Sequence, residues 1–286
     1  MADSIDRFIT VPDGLTLHVR IHGDDNPGIP VVCLPGLTRN LLDFEDLARI
    51  LAAPPYSRRV IAISSRGRGL SNRDPQPARY TIPVEAGDVI SVLDQMEIAS
   101  AAFIGTSRGG LILHVLAMTH LERIERLVFN DIGPVLDVDG LRQIQGYLGS
   151  RRTPANFAEA AEILRATHGA EFPALGGEDW AHMAQALYRE VDGQVVADFD
   201  PDIAEQFRNA DLSQGLPDLW PQFAALAEKP MMVVRGEHSR LLSRDTVEEM
   251  VRRHPGLVAI EAGGQGHAPL LHLSGLAEEI GGFLQR

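Results

Sequence analysis

Cysteine is almost missing from this chain: Cys33 is the only one in 286 residues. No intramolecular disulfide can form, and nothing in the cysteine usage points to an oxidising compartment. Cys33 lies in the apolar run Val31-Val32-Cys33-Leu34 and is expected to be inert core. Basic residues are scarce too, 26 Lys and Arg against 39 Asp and Glu, for a formal net charge of -13. Gripping a phosphate backbone relies on clustered cations, so the balance argues against a nucleic-acid partner and for a small-molecule substrate. No apolar run reaches the ~18 residues that a membrane span needs, and the start Met1-Ala2-Asp3-Ser4-Ile5-Asp6 has neither the basic residues nor the apolar stretch of a secretion signal. The expectation is a cytoplasmic protein with no membrane partner. Histidines are present, but none shows zinc-ligand spacing; His114 and His120 read as two helix-face residues, and no metal or cofactor is expected. Internal repeats and low-complexity tracts are absent.

What is present is 44% hydrophobic residues in ordered patterns. Phe8 to Val11 and Leu15 to Ile21 flank Pro12-Asp13-Gly14 as a hairpin. Val31 to Leu34, Val60 to Ile63, Ala101 to Ile104, Arg126 to Phe129, Met231 to Val234 and Leu257 to Ile260 are short apolar runs, as expected of strands buried on both faces. Helical stretches fall between them: Leu41 to Leu51, Pro83 to Met96, the segment after Ser107, Thr246 to Arg253 and Ser274 to Leu284. Alternating strands and helices imply right-handed crossovers and a mostly parallel sheet covered on both faces. The pattern changes between Val135 and about Pro217, where apolar residues recur at helical spacing (Leu141, Ile144, Leu148; Phe157, Ala160, Leu164; Trp180, Met183, Leu187). The expected organisation is an α/β core over residues 1–134, a helical insertion over 135–217, and the rest of the core over 218–286.

The run Gly105-Thr106-Ser107-Arg108-Gly109 matches the pattern of a serine held on a sharp strand-to-helix turn. Flanking glycines let neighbouring backbone come close where a Cβ would clash, and the strained turn pushes Oγ into the open. The helix that follows brings N-terminal N–H groups beside the serine, where negative charge on a substrate oxygen can be held.

With Leu34-Pro35-Gly36-Leu37 after the third strand, Arg66-Gly67-Arg68-Gly69 after the fourth, and Gly264-Gln265-Gly266-His267 after the last, the chain resembles the α/β-hydrolase family over essentially its whole length. That resemblance implies an eight-stranded, mostly parallel sheet with helices on both faces and a helical cap inserted after the sixth strand. It implies Ser107 as nucleophile, His267 as its base, and the backbone N–H groups of Leu37 and Arg108 as oxyanion hole. Many relatives have His-Gly where this chain has Pro35-Gly36, a change of little weight because the donors are backbone amides.

The acid is less simple. The family usually carries an aspartate in the loop after the seventh strand, but Ser239 or Arg240 stands at that place. Glu237 follows the glycine immediately and is early for the role; Asp245, with Glu248 three residues on, reads as a helix-capping pair. A second position, just after the sixth strand, serves some haloalkane dehalogenases, and Asp131 stands there. Those enzymes use an aspartate nucleophile, so Ser107 argues against their chemistry and against epoxide hydrolysis. Arg39, Arg108 and Arg240 sit in loops at the mouth of the site; Arg39 and Arg240 could clamp a substrate carboxylate, or each arginine could pair with a local acid such as Glu45, Asp131 or Glu237. The function expected is a serine hydrolase cleaving a small carboxylic ester, thioester or lactone through an acyl-enzyme. A carbon–carbon hydrolase of ring-fission products and a non-catalytic ligand-binding protein of the same fold are the alternatives. The sequence leaves the acyl and leaving groups and the oligomeric state open.

Overall fold

The computed structural model describes residues 4–148, 153–214 and 217–286. In chain order the strands are β1 (Ser4–Thr10), β2 (Thr16–His22), β3 (Val31–Leu34), β4 (Val60–Ile63), β5 (Ala101–Thr106), β6 (Ile124–Asn130), β7 (Tyr188–Val191), β8 (Gln194–Ala197), β9 (Met231–Gly236) and β10 (Val258–Ala262). The α-helices are α1 (Glu45–Ala52), α2 (Ile82–Gln95), α3 (Arg108–Thr119), α4 (Val138–Leu148), α5 (Phe157–His168), α6 (Gly177–Leu187), α7 (Pro201–Arg208), α8 (Trp220–Ala225), α9 (Arg244–Arg253) and α10 (Leu276–Gln285). Eight strands form one sheet in the order β1-β2-β4-β3-β5-β6-β9-β10. The β1–β2 hairpin joins it antiparallel through β4, and every other pairing is parallel.

The central strands are apolar throughout because both of their faces are covered. Side chains alternate across a strand, so Val32, Leu34, Ile61, Ile63, Leu127 and Phe129 point into one core with α2, α3 and α8. Val31, Cys33, Val60, Ala62 and Val128 point into the other with α1 and α10. Cys33 is fully buried, and burial pushes its thiol far up, so it stays protonated. The helix expected from Leu41 begins as a 3-10 turn over Leu41–Phe44, with Asn40 Oδ1 accepting from the Leu42 N–H at 2.9 Å. At α9 the cap is Ser243, whose Oγ accepts from the Thr246 N–H at 3.1 Å; Asp245 sits inside the first turn and does not cap.

Between β6 and α8 the chain leaves the sheet. Helices α4 to α7 are there as the helical spacing implies, but so is a two-stranded hairpin, β7–β8, where only helices were expected. Its turn is Asp192-Gly193, both at positive φ (51° and 75°), the geometry in which Asp-Gly connects two strands with matching twist. Ala160, Leu164, Phe172, Trp180, Met183 and Val195 make a small core of this segment, closed by Leu270 from the loop after β10. Residues 149–152 and 215–216 of the expected insertion lie outside the described residues. The segment is fastened to the sheet's carboxyl edge: Gly69 N–H donates to Asp198 O at 2.9 Å, Asp200 N–H to Gly67 O at 2.7 Å, and Tyr80 Oη to Asp200 Oδ2 at 2.7 Å.

The loop after β4 is braced by buried charge. Arg66, 1% exposed, donates through Nε and Nη2 to both oxygens of Asp88 (2.7 and 2.6 Å), through Nη1 to Asp74 at 2.6 Å, and pairs with Asp13 at 2.9 Å. Removing one partner from a buried charge network leaves the others uncompensated, which costs about 3–5 kcal/mol. Arg66→Met should therefore lower the unfolding free energy read from urea titration by about 3–5 kcal/mol, whereas Arg142→Met, at an exposed surface pair, should change it by well under about 1 kcal/mol.

Candidate active site

Strand β5 delivers Ser107 at the carboxyl edge of the sheet, where parallel strands open their ligand crevice. Ser107 has φ 50° and ψ -112°, a conformation a side-chain-bearing residue adopts only when its surroundings impose it. Those surroundings are backbone packed on backbone. A Cβ on Gly105 would lie 2.7 Å from the Gly110 nitrogen, and one on Gly109 would run into the Leu34 carbonyl. The turn is closed by the Gly110 N–H donating to Ser107 O at 2.9 Å and the Ser107 N–H to Asn130 O at 3.0 Å.

His267, in the loop after β10, stands between two oxygens. Its Nε2 is 2.9 Å from Ser107 Oγ, and its Nδ1 is 2.8 Å from Asp131 Oδ2. A carboxylate can only accept, so Nδ1 carries the proton and Nε2 is left to accept from the serine hydroxyl. Asp131 is fully buried at the end of β6, at positive φ (53°). Its second oxygen accepts the Gly236 N–H at 2.8 Å, and its own N–H donates to Val234 O at 2.7 Å, so β9 pins the residue from both ends. Asn130 ties in the histidine loop by donating from Nδ2 to Pro269 O at 3.0 Å.

The other acidic candidates lie elsewhere. Glu237 Oε2 accepts the Gly264 N–H at 2.7 Å, which holds its carboxyl below the usual range, and it braces the loop that leads to His267 without reaching the ring. Ser239 Oγ accepts the N–H groups of Leu241 and Leu242, both at 3.2 Å, and so shapes the turn after β9.

Leu37 and Arg108 both border the cavity above Ser107, and neither of their backbone N–H groups has an acceptor among the described residues. The arginines do not pair with Glu45, Asp131 or Glu237. Arg39 Nε donates to Asp43 Oδ2 at 2.6 Å, one helical turn ahead. Arg108 is held by Glu85, Nε to Oε2 at 2.8 Å and Nη2 to Oε1 at 3.0 Å. Arg240 is largely exposed, its nearest acid Glu171 at 3.5 Å, and it borders only a small recess beside His267.

Sequence reasoning missed Glu85. This fully buried carboxylate also accepts from Arg68 Nη1 at 2.8 Å, while Arg68 Nε donates to Leu37 O at 2.8 Å. One acid thus links the loop carrying Leu37 to the first residue of α3. The signal was available: Glu85 and Asp88 fall on the apolar stripe of α2 with Ala86, Val89 and Val92, where a carboxylate is buried only if it is paired.

The cavity has a volume of about 770 Å³ and lies between the sheet edge and the inserted segment. Leu136, Leu141, Ile144, Phe172, Met183 and Phe207 supply apolar wall. Among the described residues no cluster of His, Cys, Asp and Glu has a metal-holding arrangement, and no helix is long and apolar enough to cross a membrane.

Comparison with known proteins agrees with this architecture. The family model described as "alpha/beta hydrolase fold" matches residues 29–271. A 3-hydroxybutyrate-oligomer hydrolase of Cupriavidus necator is 33% identical over 251 residues, covering 85% of this chain and 84% of that protein. A 2-hydroxymuconate semialdehyde hydrolase of a Pseudomonas species is 33% identical over a shorter stretch, 49% of this chain and 48% of its own length. The crystal structure of an α/β hydrolase from Novosphingobium aromaticivorans superposes with a TM-score of 0.92 at 37% identity, covering 100% of this chain and 99% of that one.

Glu85 makes the site acid-sensitive. Burial pushes its carboxyl up, but Arg68 and Arg108 outweigh that and hold it below its ordinary value of 4.5. A depressed carboxyl contributes stability that is present above the unfolded-state value and lost as pH falls through the folded one. Glu85→Gln, which leaves the buried Arg68 and the half-buried Arg108 guanidinium groups short of a partner, should lower stability at pH 7 by about 3–5 kcal/mol. It should also flatten the fall in stability below about pH 4.5, read from urea unfolding at a series of pH values.

Proposed function

This chain belongs to the α/β-hydrolase fold family and is a hydrolase; from that premise we propose that it is a serine esterase acting on small carboxylic esters through an acyl-enzyme. The observation that carries the reading is the continuous hydrogen-bonded line Ser107–His267–Asp131, at 2.9 and 2.8 Å, opening on the 770 Å³ cavity. Ser107 Oγ attacks the ester carbonyl while His267 Nε2 takes its proton. Asp131 stabilises the imidazolium, and the carbonyl oxygen, now negative, receives the N–H groups of Leu37 and Arg108. Collapse breaks the bond to the alcohol oxygen, which leaves with the proton from Nε2. Water, deprotonated by the same nitrogen, then attacks the acyl-serine; the acid is released and the hydroxyl restored. The described residues between 135 and 214 act as the cap, since their side chains supply much of the apolar wall and so choose the substrate.

An ester suits the site better than the other reactions. The named activity of the Cupriavidus necator relative, 33% identical and covering 85% of this chain, is hydrolysis of 3-hydroxybutyrate oligomers, whose units are joined by ester bonds. Carbon–carbon cleavage remains the second reading because the same serine, base and acid serve it, and the shorter-matching relative is named as a hydrolase of 2-hydroxymuconate semialdehyde rather than of an ester. The non-catalytic reading drew its support from the missing acid after β9, and the contact of Asp131 with His267 removes that support.

Two measurements test the reading. A fluorophosphonate probe should label Ser107 in the native protein and fail to label Ser107→Ala; labelling that survives this substitution would refute the nucleophile. Asp131→Asn should lower kcat on a short nitrophenyl ester by ~10⁴, the scale of loss when a triad aspartate imposes the wrong tautomer. Glu237→Gln should cost far less, and the reverse ranking would move the acid to the loop after β9.

A further inference from the structure

The cap side of the cavity carries polar groups that no internal contact consumes. Tyr147, on α4, and His168, at the end of α5, stand edge to face with ring centroids 4.9 Å apart, and both border the cavity. Neither the Tyr147 hydroxyl nor the His168 ring has a hydrogen-bond partner among the described residues. Arg39 borders the same cavity from the loop after β3, close enough for its charge to act on both rings. Its Nε is committed to Asp43, whereas Nη1 and Nη2 are free to donate. A Cβ built on Gly36 would lie 3.4 Å from Arg39 Cγ and 3.8 Å from Ser107 Cβ, so the arginine stem is within about 7 Å of the serine.

The charge of this wall runs against that of the whole protein. Arg39, Arg73, Arg108 and Arg208 border the cavity against Asp43 and Glu205, in a chain of net charge -13. Arg73 and Arg208 pair with no described acid. Burial, and then the Arg39 charge, push the His168 ring down to about 4, so at neutral pH it is an uncharged group able to donate one N–H. Glu171, which borders the small recess beside this wall, is occupied by Gln143 and Arg240, and Asp43 holds Arg39 Nε. The acceptors without a partner, Glu205 and the second oxygen of Asp43, also border the cavity, but at Arg39, Tyr147 and His168 the free groups are donors, and such a set matches a carboxylate.

Building on the esterase reading above, we propose that Arg39, Tyr147 and His168 form a carboxylate-binding subsite, and that the substrate is an ester bearing a free carboxylate a few bonds from the scissile carbonyl. The guanidinium presents its two free nitrogens to the carboxylate, with the Tyr147 hydroxyl and the His168 N–H as further donors. Asp43 stays on Nε and fixes the fork's direction. A short oligoester of a hydroxy acid has this chemistry at its acid end, with a neutral ester bond beside it for Ser107.

The test compares two substrates differing only in that charge: the linear dimer of 3-hydroxybutyrate and its methyl ester, with cleavage of the inner ester bond followed by chromatography. The native protein should prefer the free acid in kcat/KM by about tenfold or more. Arg39→Gln should reduce that preference towards one, and Tyr147→Phe should reduce it severalfold, the loss in each case falling on the free acid. A general defect in folding lowers both rates and leaves their ratio unchanged, and Tyr147→Phe, which disturbs no ion pair, keeps the test open if Arg39→Gln does not fold. Equal rates on the two dimers in the native protein, or a preference that survives both substitutions, overturns the subsite. Hydrolysis of nitrophenyl butyrate but of neither dimer also overturns it while leaving the esterase reading intact; turnover of nitrophenyl butyrate by Ser107→Ala defeats the esterase reading itself.

Discussion

A neutral imidazole can take a proton from a serine only when its other nitrogen already holds one, and in this chain Asp131 meets that condition. Its buried carboxylate accepts the His267 Nδ1 proton at 2.8 Å and leaves Nε2 facing Ser107 at 2.9 Å. The rest of the architecture keeps those three groups in register. Asp131 is fixed because β6 and β9 are neighbours and the Gly236 N–H occupies its second oxygen. Ser107 is fixed because α3 packs so close to β3 and β5 that only glycine fits at 105 and 109. His267 is fixed because Asn130 holds its loop from the end of the same strand that bears Asp131.

An acid after the sixth strand is physically equivalent to one after the seventh. Both strands end on the same edge of the sheet, side by side, so either can present a carboxylate to the histidine nitrogen that faces away from the serine. With Asp131 just after β6 as the proposed acid, the turn after β9 is free for other work. Ser239 shapes it through two backbone N–H groups, and Glu237 braces the glycine loop before His267. A second tier of buried charge lies under the site: Glu85 joins Arg68 and Arg108, and Arg66 joins Asp74 and Asp88. Buried ions are tolerated there because each finds a partner of opposite charge.

Much of this was legible in the sequence wherever local chemistry and global fold ask for the same residue. Val31–Leu34 and Val60–Ile63 are bounded as strands by their apolar runs alone, since two buried faces demand them. The elbow is legible because backbone collision admits only glycine at two flanking positions. The β7–β8 hairpin was lost because its strands are short and half-exposed, with only Val195 fully buried, so their pattern is weak beside that of the helices. The Asp192-Gly193 turn was its clearest trace. The partners of Arg39 and Arg108 were misjudged for another reason: pairing depends on which helix faces point inward, and Glu85 looks like any surface acid until α2 is packed.

The central claim, that Ser107 carries the acyl group between two half-reactions under the control of His267 and Asp131, is tested most directly by rapid mixing with a slowly deacylating nitrophenyl ester. Absorbance is followed for the first turnover, and the quenched protein is digested for mass analysis. A burst of nitrophenol equal to the enzyme concentration and an acyl mass on the peptide containing Ser107 are expected. No burst and no adduct while turnover proceeds, or an acyl group on any other residue, would contradict that claim.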